Sequence, residues 1–230
     1  MATTAEKIFA IGDIHGCHDK LVTLMERLPF DRDRDTLVFL GDYIDRGPHA
    51  RQVIDYLIEL QNSCRNVVFL KGNHEQTLLE YHQTGDDQIL RLLRGMGITA
   101  TLASYGATMR QLQGLAAFPA HHRDFFHSLT FAHLTDTTVF THADISLEML
   151  TLLENGDPGH DNLDFTETIL LSSRRLIRPD ATTHGRTVVF GHTPFELPLV
   201  LPDRICIDTG AVYGNLLTAL ELPARTFYHA

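Results

Sequence analysis

Five short blocks in this chain share one composition. They are Gly12-Asp13-Ile14-His15-Gly16, Gly41-Asp42-Tyr43-Ile44-Asp45-Arg46-Gly47, Gly72-Asn73-His74-Glu75, Thr141-His142-Ala143-Asp144 and Gly191-His192-Thr193. Each closes an apolar run and then offers Asp, His or Asn. Carboxylate, imidazole and amide oxygen together form a donor set for borderline-hard divalent ions such as Mn²⁺, Fe or Zn²⁺. No thiolate belongs to any block, which argues against a cysteine-rich structural zinc site. Taken singly, a Gly-Asp after a strand is an ordinary turn or helix cap. The weight lies in five blocks, in order, with the same ligand chemistry.

The elements around these blocks explain how they could meet. Lys7 to Gly12, Thr36 to Leu40 and Asn66 to Leu70 are short apolar runs bounded by polar or glycine residues, and read as buried strands. Between them lie helical patterns. One begins near His18, with Leu21, Leu24, Met25 and Leu28 on one face, and stops at Pro29. The next begins near Ala50, with Val53, Ile54, Leu57 and Ile58 facing inward. A third, with Leu78 and Leu79, follows Asn73. Alternating strands and helices predict parallel neighbours joined by right-handed crossovers. In such sheets the loops after the carboxyl ends of strands face the ligand, and those loops hold Asp13, His15, Asp42, Asp45, Asn73 and His74.

The second half reads differently. Residues 85–129 form a helical, poorly punctuated insertion. Thr130 to His133 and Thr137 to Thr141 read as a hairpin. Residues 155–161 form a turn-rich loop, and Phe165 to Leu171 a helix. Val188 to Phe190, Pro198 to Leu201, Arg204 to Ile207, Leu216 to Leu220 and Thr226 to His229 read as short antiparallel strands. The run Asp31-Arg32-Asp33-Arg34-Asp35 reads as a solvated loop. Without a linker between the halves, the expectation is a single domain over residues 1–230, of class α/β, with two sheets packed face to face and helices outside.

Composition bounds the partners. The 230 residues carry 19 Lys+Arg against 29 Asp+Glu, a formal net charge of −10. That disfavours a broad nucleic-acid grip or an anionic membrane surface, though bound divalent cations would reverse the field inside a pocket and admit phosphorylated substrates. Three scattered cysteines, Cys17, Cys64 and Cys206, form no zinc pair and no disulfide framework. With no signal-peptide pattern and no apolar span, the expected setting is the cytoplasm.

In their order and wording, the five blocks resemble the calcineurin-like metallophosphoesterases, and within them the phosphoprotein phosphatase branch with its small bacterial and phage members. The likeness runs from about Lys7 to Leu220. It implies the metallo-dependent phosphatase fold, two mixed sheets sandwiched between helices with the insertion at 85–129. It implies two divalent metal ions, Mn²⁺ foremost, with Fe, Zn²⁺ or Ni²⁺ as alternatives. Asp13 and His15 would bind one ion, Asn73, His142 and His192 the other, and Asp42 would bridge them. A water or hydroxide shared by the two ions would attack phosphorus directly, with no phospho-enzyme.

The resemblance also assigns a proton donor and two clamps. His74 would protonate the leaving alkoxide, oriented by Asp45. Arg46 would hold phosphoryl oxygens with its planar fork. A second clamp falls near Ser172, with Arg174 the candidate and Arg175 the alternative, where a basic helix end is the competing reading. Asp144 stands where the family often has Gly, and no Trp lies near Ser172. A carboxylate at 144 would perturb the metals, touch substrate or cap a turn. Tyr213 falls where the family places an aromatic at the site mouth, but reads more simply as a core tyrosine. Of the remaining histidines, none with a spacing that demands metal, His121, His122 and His127 read as surface residues of a helix.

The first functional expectation is a metal-dependent phosphomonoesterase acting on phosphoserine, phosphothreonine and also phosphotyrosine in proteins. A symmetrical dinucleoside-tetraphosphate hydrolase of the same fold is the alternative. Glu75, where such enzymes tend to carry Asp, and the second carboxylate Asp45 speak against it. A catalytically inactive phosphoprotein-binding module is a third reading, opposed by His74, Asp45 and Arg46, since a pure binder needs no acid. A nucleic-acid phosphodiesterase is disfavoured by charge and by Thr193-Pro194, where nuclease relatives more often show another His.

Overall fold

The computed structural model describes residues 6–154, 171–174 and 185–230. The first three strands are β1 (Ile8–Ile11), β2 (Thr36–Phe39) and β3 (Asn66–Phe69), linked by helices α1 (His18–Arg27) and α2 (Ala50–Ser63). They pair in parallel, Ile8 opposite Thr36 and Thr36 opposite Asn66. The chain's last two strands, β9 (Thr218–Leu222) and β10 (Thr226–His229), complete this sheet in the order β10-β9-β1-β2-β3, with β9 antiparallel to β1.

The second sheet has the order β4-β5-β6-β8-β7, built from β4 (Ala132–Leu134), β5 (Thr138–Thr141), β6 (Thr187–Phe190), β7 (Leu199–Val200) and β8 (Arg204–Cys206). The hairpin β4–β5 is antiparallel, as expected. β7 and β8, and β9 and β10, pair antiparallel as expected, but β6 runs parallel to both β5 and β8, which corrects the reading of that strand. Each parallel partner is reached by a crossover rather than a tight turn: 45 residues separate β5 from β6, and β7 intervenes before β8. Short apolar strands do not announce their direction in sequence.

Side-chain alternation sorts the cores. Ala10, Val38, Leu40, Leu70 and Leu220 from the first sheet meet Phe140, Val189, Ile205 and Ile207 from the second, forming the layer between the sheets. The alternate residues Phe9, Ile11, Leu37 and Phe39 face the helices, where Leu21, Val53, Leu57 and Phe126 cover them. On the outer face of the second sheet, Val188 and Phe190 pack against Met149 and Leu150 of α7 (Leu147–Glu154). The structure is thus the mixed two-sheet sandwich flanked by helices.

The insertion is helical, as read. After α3 (Asn73–Thr84) come α4 (Asp87–Met96), α5 (Ile98–Tyr105), two 3₁₀ turns and α6 (Ala120–Ser128). His122 is fully buried, with Nε2 2.8 Å from Asp55 Oδ1 and Nδ1 2.7 Å from Tyr105 Oη. It is a link between α2, α5 and α6, not a surface residue. Asp35 is also buried and accepts the backbone N–H groups of Lys7 and Asp31, so the charged run after Phe30 is only partly a solvated loop. The loop at 155–161, Arg175 and all but Leu171 of the helix expected at 165–171 lie outside the described residues.

Candidate active site

The parallel strands of both sheets end at one edge. Asp13 and His15 follow β1, Asp42 and Asp45 follow β2, Asn73 and His74 open α3 after β3, His142 follows β5 and His192 follows β6. Five of these corner residues hold glycine-like backbone: His15, Asp42, Asp45, Arg46 and His192 have φ between 45° and 70°. For side-chain-bearing residues this conformation costs roughly 1–2 kcal/mol each. It is kept where the surroundings over-determine it. Close packing reinforces the corners: a Cβ on Gly72 would collide with the Asp42 carboxylate, and one on Gly191 with that of Asp13.

Backbone carbonyls fix the imidazole orientations. His15 Nδ1 lies 2.8 Å from the Ile44 carbonyl, and His142 Nδ1 lies 2.8 Å from that of Leu40. Both nitrogens therefore donate, which leaves the two Nε2 lone pairs facing the interior. His142 Nε2 is 3.1 Å from Asn73 Oδ1 and 3.5 Å from Asp42 Oδ1. His15 Nε2 is 3.3 Å from Asp42 Oδ2, and His192 Nδ1 is 3.0 Å from Asn73 Oδ1. Asp13 accepts the His192 backbone N–H at 3.1–3.2 Å. The six predicted donor residues are thus neighbours, with Asp42 between His15 on one side and His142 and His192 on the other.

Charge in this cluster fits cations. Burial, Asp208 and Asp42 push the Asp13 carboxyl well above its ordinary range. Burial raises Asp208 to about 6. Burial also works against the Asp42 carboxylate, but His142, His74 and His15 hold it well below the usual range. Burial and His142 press His192 down to about 3, so that its ring is neutral and its lone pair available. Crowded buried carboxylates and neutral imidazoles with inward lone pairs form the donor set that divalent ions complete.

Two further groups flank the donors. His74 is buried, with Nδ1 2.7 Å from Asp45 Oδ2, while its Nε2 has no hydrogen-bond partner among the described residues and lies 3.8 Å from Asp42 Oδ2. Burial opposes its charge, but Asp42 and Asp45 outweigh that and raise its pKa. Arg46 is exposed at the edge, donates to His15 Nε2 and lies over the Tyr213 ring at 5.7 Å. Tyr213 is 60% exposed, so it is not a core tyrosine. Its loop is tied down by Lys20, which donates to the carbonyls of Ala211 and Asn215. Arg174 is exposed, and its charge is among those that depress His192.

Several contributors escaped sequence reasoning. Glu75 is fully buried and accepts four backbone N–H groups. Its Oε2 takes those of Asp42 and Gly72, each at 3.1 Å, and its Oε1 those of Tyr43 and Ile44, at 2.9 and 3.2 Å. The signal was available: Glu75 stands three residues after the glycine that opens α3, a capping-box position. Arg204 engages both oxygens of Asp144, whose carboxylate also accepts the Ile145 backbone N–H. Asp208 joins the site from the end of β8.

Comparison with known proteins identifies the family of the chain. The calcineurin-like phosphoesterase family profile matches residues 6–215. A protein of Halalkalibacterium halodurans named bis(5'-nucleosyl)-tetraphosphatase PrpE [asymmetrical] is 30% identical over 94% of this chain and 90% of its own length. A protein of the same name from Geobacillus thermodenitrificans is also 30% identical, with the same two coverages. Among solved structures, the cold-active protein-tyrosine phosphatase of a psychrophilic Shewanella superposes with a TM-score of 0.64. It is 19% identical, with 94% of this chain and 76% of that one covered, a likeness of fold. The chain belongs to the calcineurin-like phosphoesterases.

Proposed function

We propose that the protein hydrolyses phosphoric esters or anhydrides at a centre of two divalent cations. Asp13 and His15 hold one, Asn73, His142 and His192 the other, and Asp42 lies between. The observation that carries this reading is the convergence of those six donors from five strand ends onto one cluster. When bound, the cations neutralise phosphoryl oxygens and lower the pKa of water at the site. Mn²⁺ is the first candidate, with Fe, Zn²⁺ and Ni²⁺ behind it.

The chain's own groups do the rest. Arg46, at the mouth, offers a planar fork to phosphoryl oxygens, with Arg174 as a second cation beside His192. His74 holds a proton on Nδ1 against Asp45, and its unpartnered Nε2 is free to hand a second proton to the departing oxygen.

The substrate proposed first is a dinucleoside tetraphosphate, cleaved unequally into mono- and triphosphate fragments. What supports this is the name of relatives that match almost the whole chain. It reverses the order expected from sequence, and takes the asymmetrical rather than the symmetrical form. A protein phosphatase remains the second reading, favoured by the His74–Asp45 pair, because an alkoxide departs poorly without a proton. Three free cysteines, two of them buried, support a reducing cytoplasmic setting. No helix among the described residues is long and apolar enough to cross a membrane.

One assay separates the readings. With Mn²⁺ supplied, a dinucleoside tetraphosphate, a phosphoserine peptide, a phosphotyrosine peptide and an aryl phosphate are compared side by side, and the nucleotide products are resolved by chromatography. Preference for the dinucleotide with mono- plus triphosphate products supports the first reading. Two diphosphates, or preference for a peptide, would replace it.

A further inference from the structure

The insertion touches the catalytic corner at one buried hydroxyl. Thr101, in the middle of α5, is fully buried. Its Oγ1 accepts the backbone N–H of Asp45 at 2.8 Å and donates to Asp45 Oδ1 at 2.8 Å. One hydroxyl thus uses its single proton and a lone pair on the same residue. The other carboxylate oxygen, Oδ2, is left to face His74 Nδ1. The neighbouring contacts run the same way. Arg46 donates its backbone N–H to the Gly97 carbonyl just before α5, and Arg51 donates its own to Ser104 Oγ. Asp45 and Arg46 both sit in the left-handed region, a conformation that must be held from outside. α5 supplies the holding groups.

From this we infer that Thr101 is the positioning residue of the His74–Asp45 pair: it fixes the rotation of the Asp45 carboxylate, and through it the tautomer and aim of the His74 ring. The inference rests on reading His74 as proton donor, and gives the insertion a part in the chemistry beyond shaping the rim. Without the hydroxyl, Asp45 keeps its place in the chain but loses the bond that decides which oxygen faces the imidazole. Such small misplacements are costly in catalysis. Among the described residues the Thr101 hydroxyl bonds Asp45 and none of the six donors, so its loss leaves the donor cluster in place.

The experiment compares Thr101→Val, Thr101→Cys and Thr101→Ser with His74→Asn, in the full-length protein. The first readout is the far-downfield proton NMR signal of an imidazole N–H bonded to a carboxylate, identified as the one missing from His74→Asn. The expected result is a shifted or lost signal in Thr101→Val and its return in Thr101→Ser. Thr101→Cys keeps the volume with a weaker hydrogen-bonding group, and stands in for Thr101→Val should that variant not fold. An unchanged signal in the valine or cysteine variant overturns the inference.

The second readout is kcat on aryl phosphates of good and poor leaving groups. The expected loss is roughly 10–100-fold for the poor leaving group and much less for the good one, with KM and metal content unchanged. A moved NMR signal with equal loss on both substrates would leave the positioning role standing and remove the acid reading of His74. The two failures are therefore separable.

Discussion

Arg204 closes a buried ion pair on Asp144, one guanidinium nitrogen lying 2.8 Å from Oδ1 and 2.9 Å from Oδ2. The contact ties β8 to the loop that carries His142, with β6 lying between. Asp144→Leu leaves the buried Arg204 with the partly exposed Asp203 carboxylate at 3.4 Å, so the single change should cost about 3 kcal/mol, the lower end for breaking a buried pair. The double variant Asp144→Leu, Arg204→Met should recover most of that loss. Urea unfolding of the three proteins checks it; additive losses would show that the pair is not coupled.

His74→Asn should lower turnover roughly 10²–10⁴-fold on a substrate with a poor leaving group. Metal content, measured by elemental analysis, should stay at the wild-type level. Full activity on an alkyl phosphate would contradict the acid role, and loss of one metal would recast His74 as a ligand.

Chelation should abolish activity, and Mn²⁺ should restore it. The same ion should raise the melting temperature, because six donors formed only in the folded chain bind only that state; a hundredfold excess over the dissociation constant corresponds to about 2.7 kcal/mol. Asp42→Asn, which weakens the shared position, should shrink the thermal shift. A melting curve indifferent to Mn²⁺ would argue against the cluster as a cation site.

Glu75 bonds four backbone N–H groups, from Asp42, Tyr43, Ile44 and Gly72. Glu75→Gln replaces one acceptor oxygen with an NH₂ that faces N–H donors. With two orphaned groups at about 1–3 kcal/mol each, the loss should be roughly 2–6 kcal/mol. Chemical denaturation measures it, and a variant of wild-type stability would show that the loops do not depend on this carboxylate.

Burial holds His122 below the ordinary imidazole range even with Asp55 beside it. The unfolded chain therefore takes up a proton, near pH 6.5, that the folded chain refuses. Stability should fall as pH drops through that value and level off above it. His122→Gln should flatten part of the slope; His133, His142, His192 and His229, also lowered by burial, add to it, while His74 and Glu75, both raised, act against it. Unfolding free energies between about pH 5 and pH 8 test the sign.

Legibility in sequence followed the range of the interactions. The clustering of Asp13, His15, Asp42, Asn73, His142 and His192 was legible because each lies just past a short apolar strand. Glu75 was half legible, from its place at the start of α3. Thr101 lies 56 residues from Asp45, and Arg204 lies 60 from Asp144, and nothing local marks either as a partner. His122 was missed for a related reason: its helix has histidines on several faces, and the one turned inward is chosen by Asp55 and Tyr105 from other helices. The direction of β6 was equally hidden, since parallel and antiparallel pairing use the same apolar residues.

The left-handed corners at His15, Asp42, Asp45, Arg46 and His192 set a limit on engineering. At each of them glycine would relax the backbone and erase the functional group in one stroke. A selection that rewarded only heat resistance would admit glycines at the very positions where the enzyme spends its stability, and would yield a sturdier protein with nothing left to catalyse.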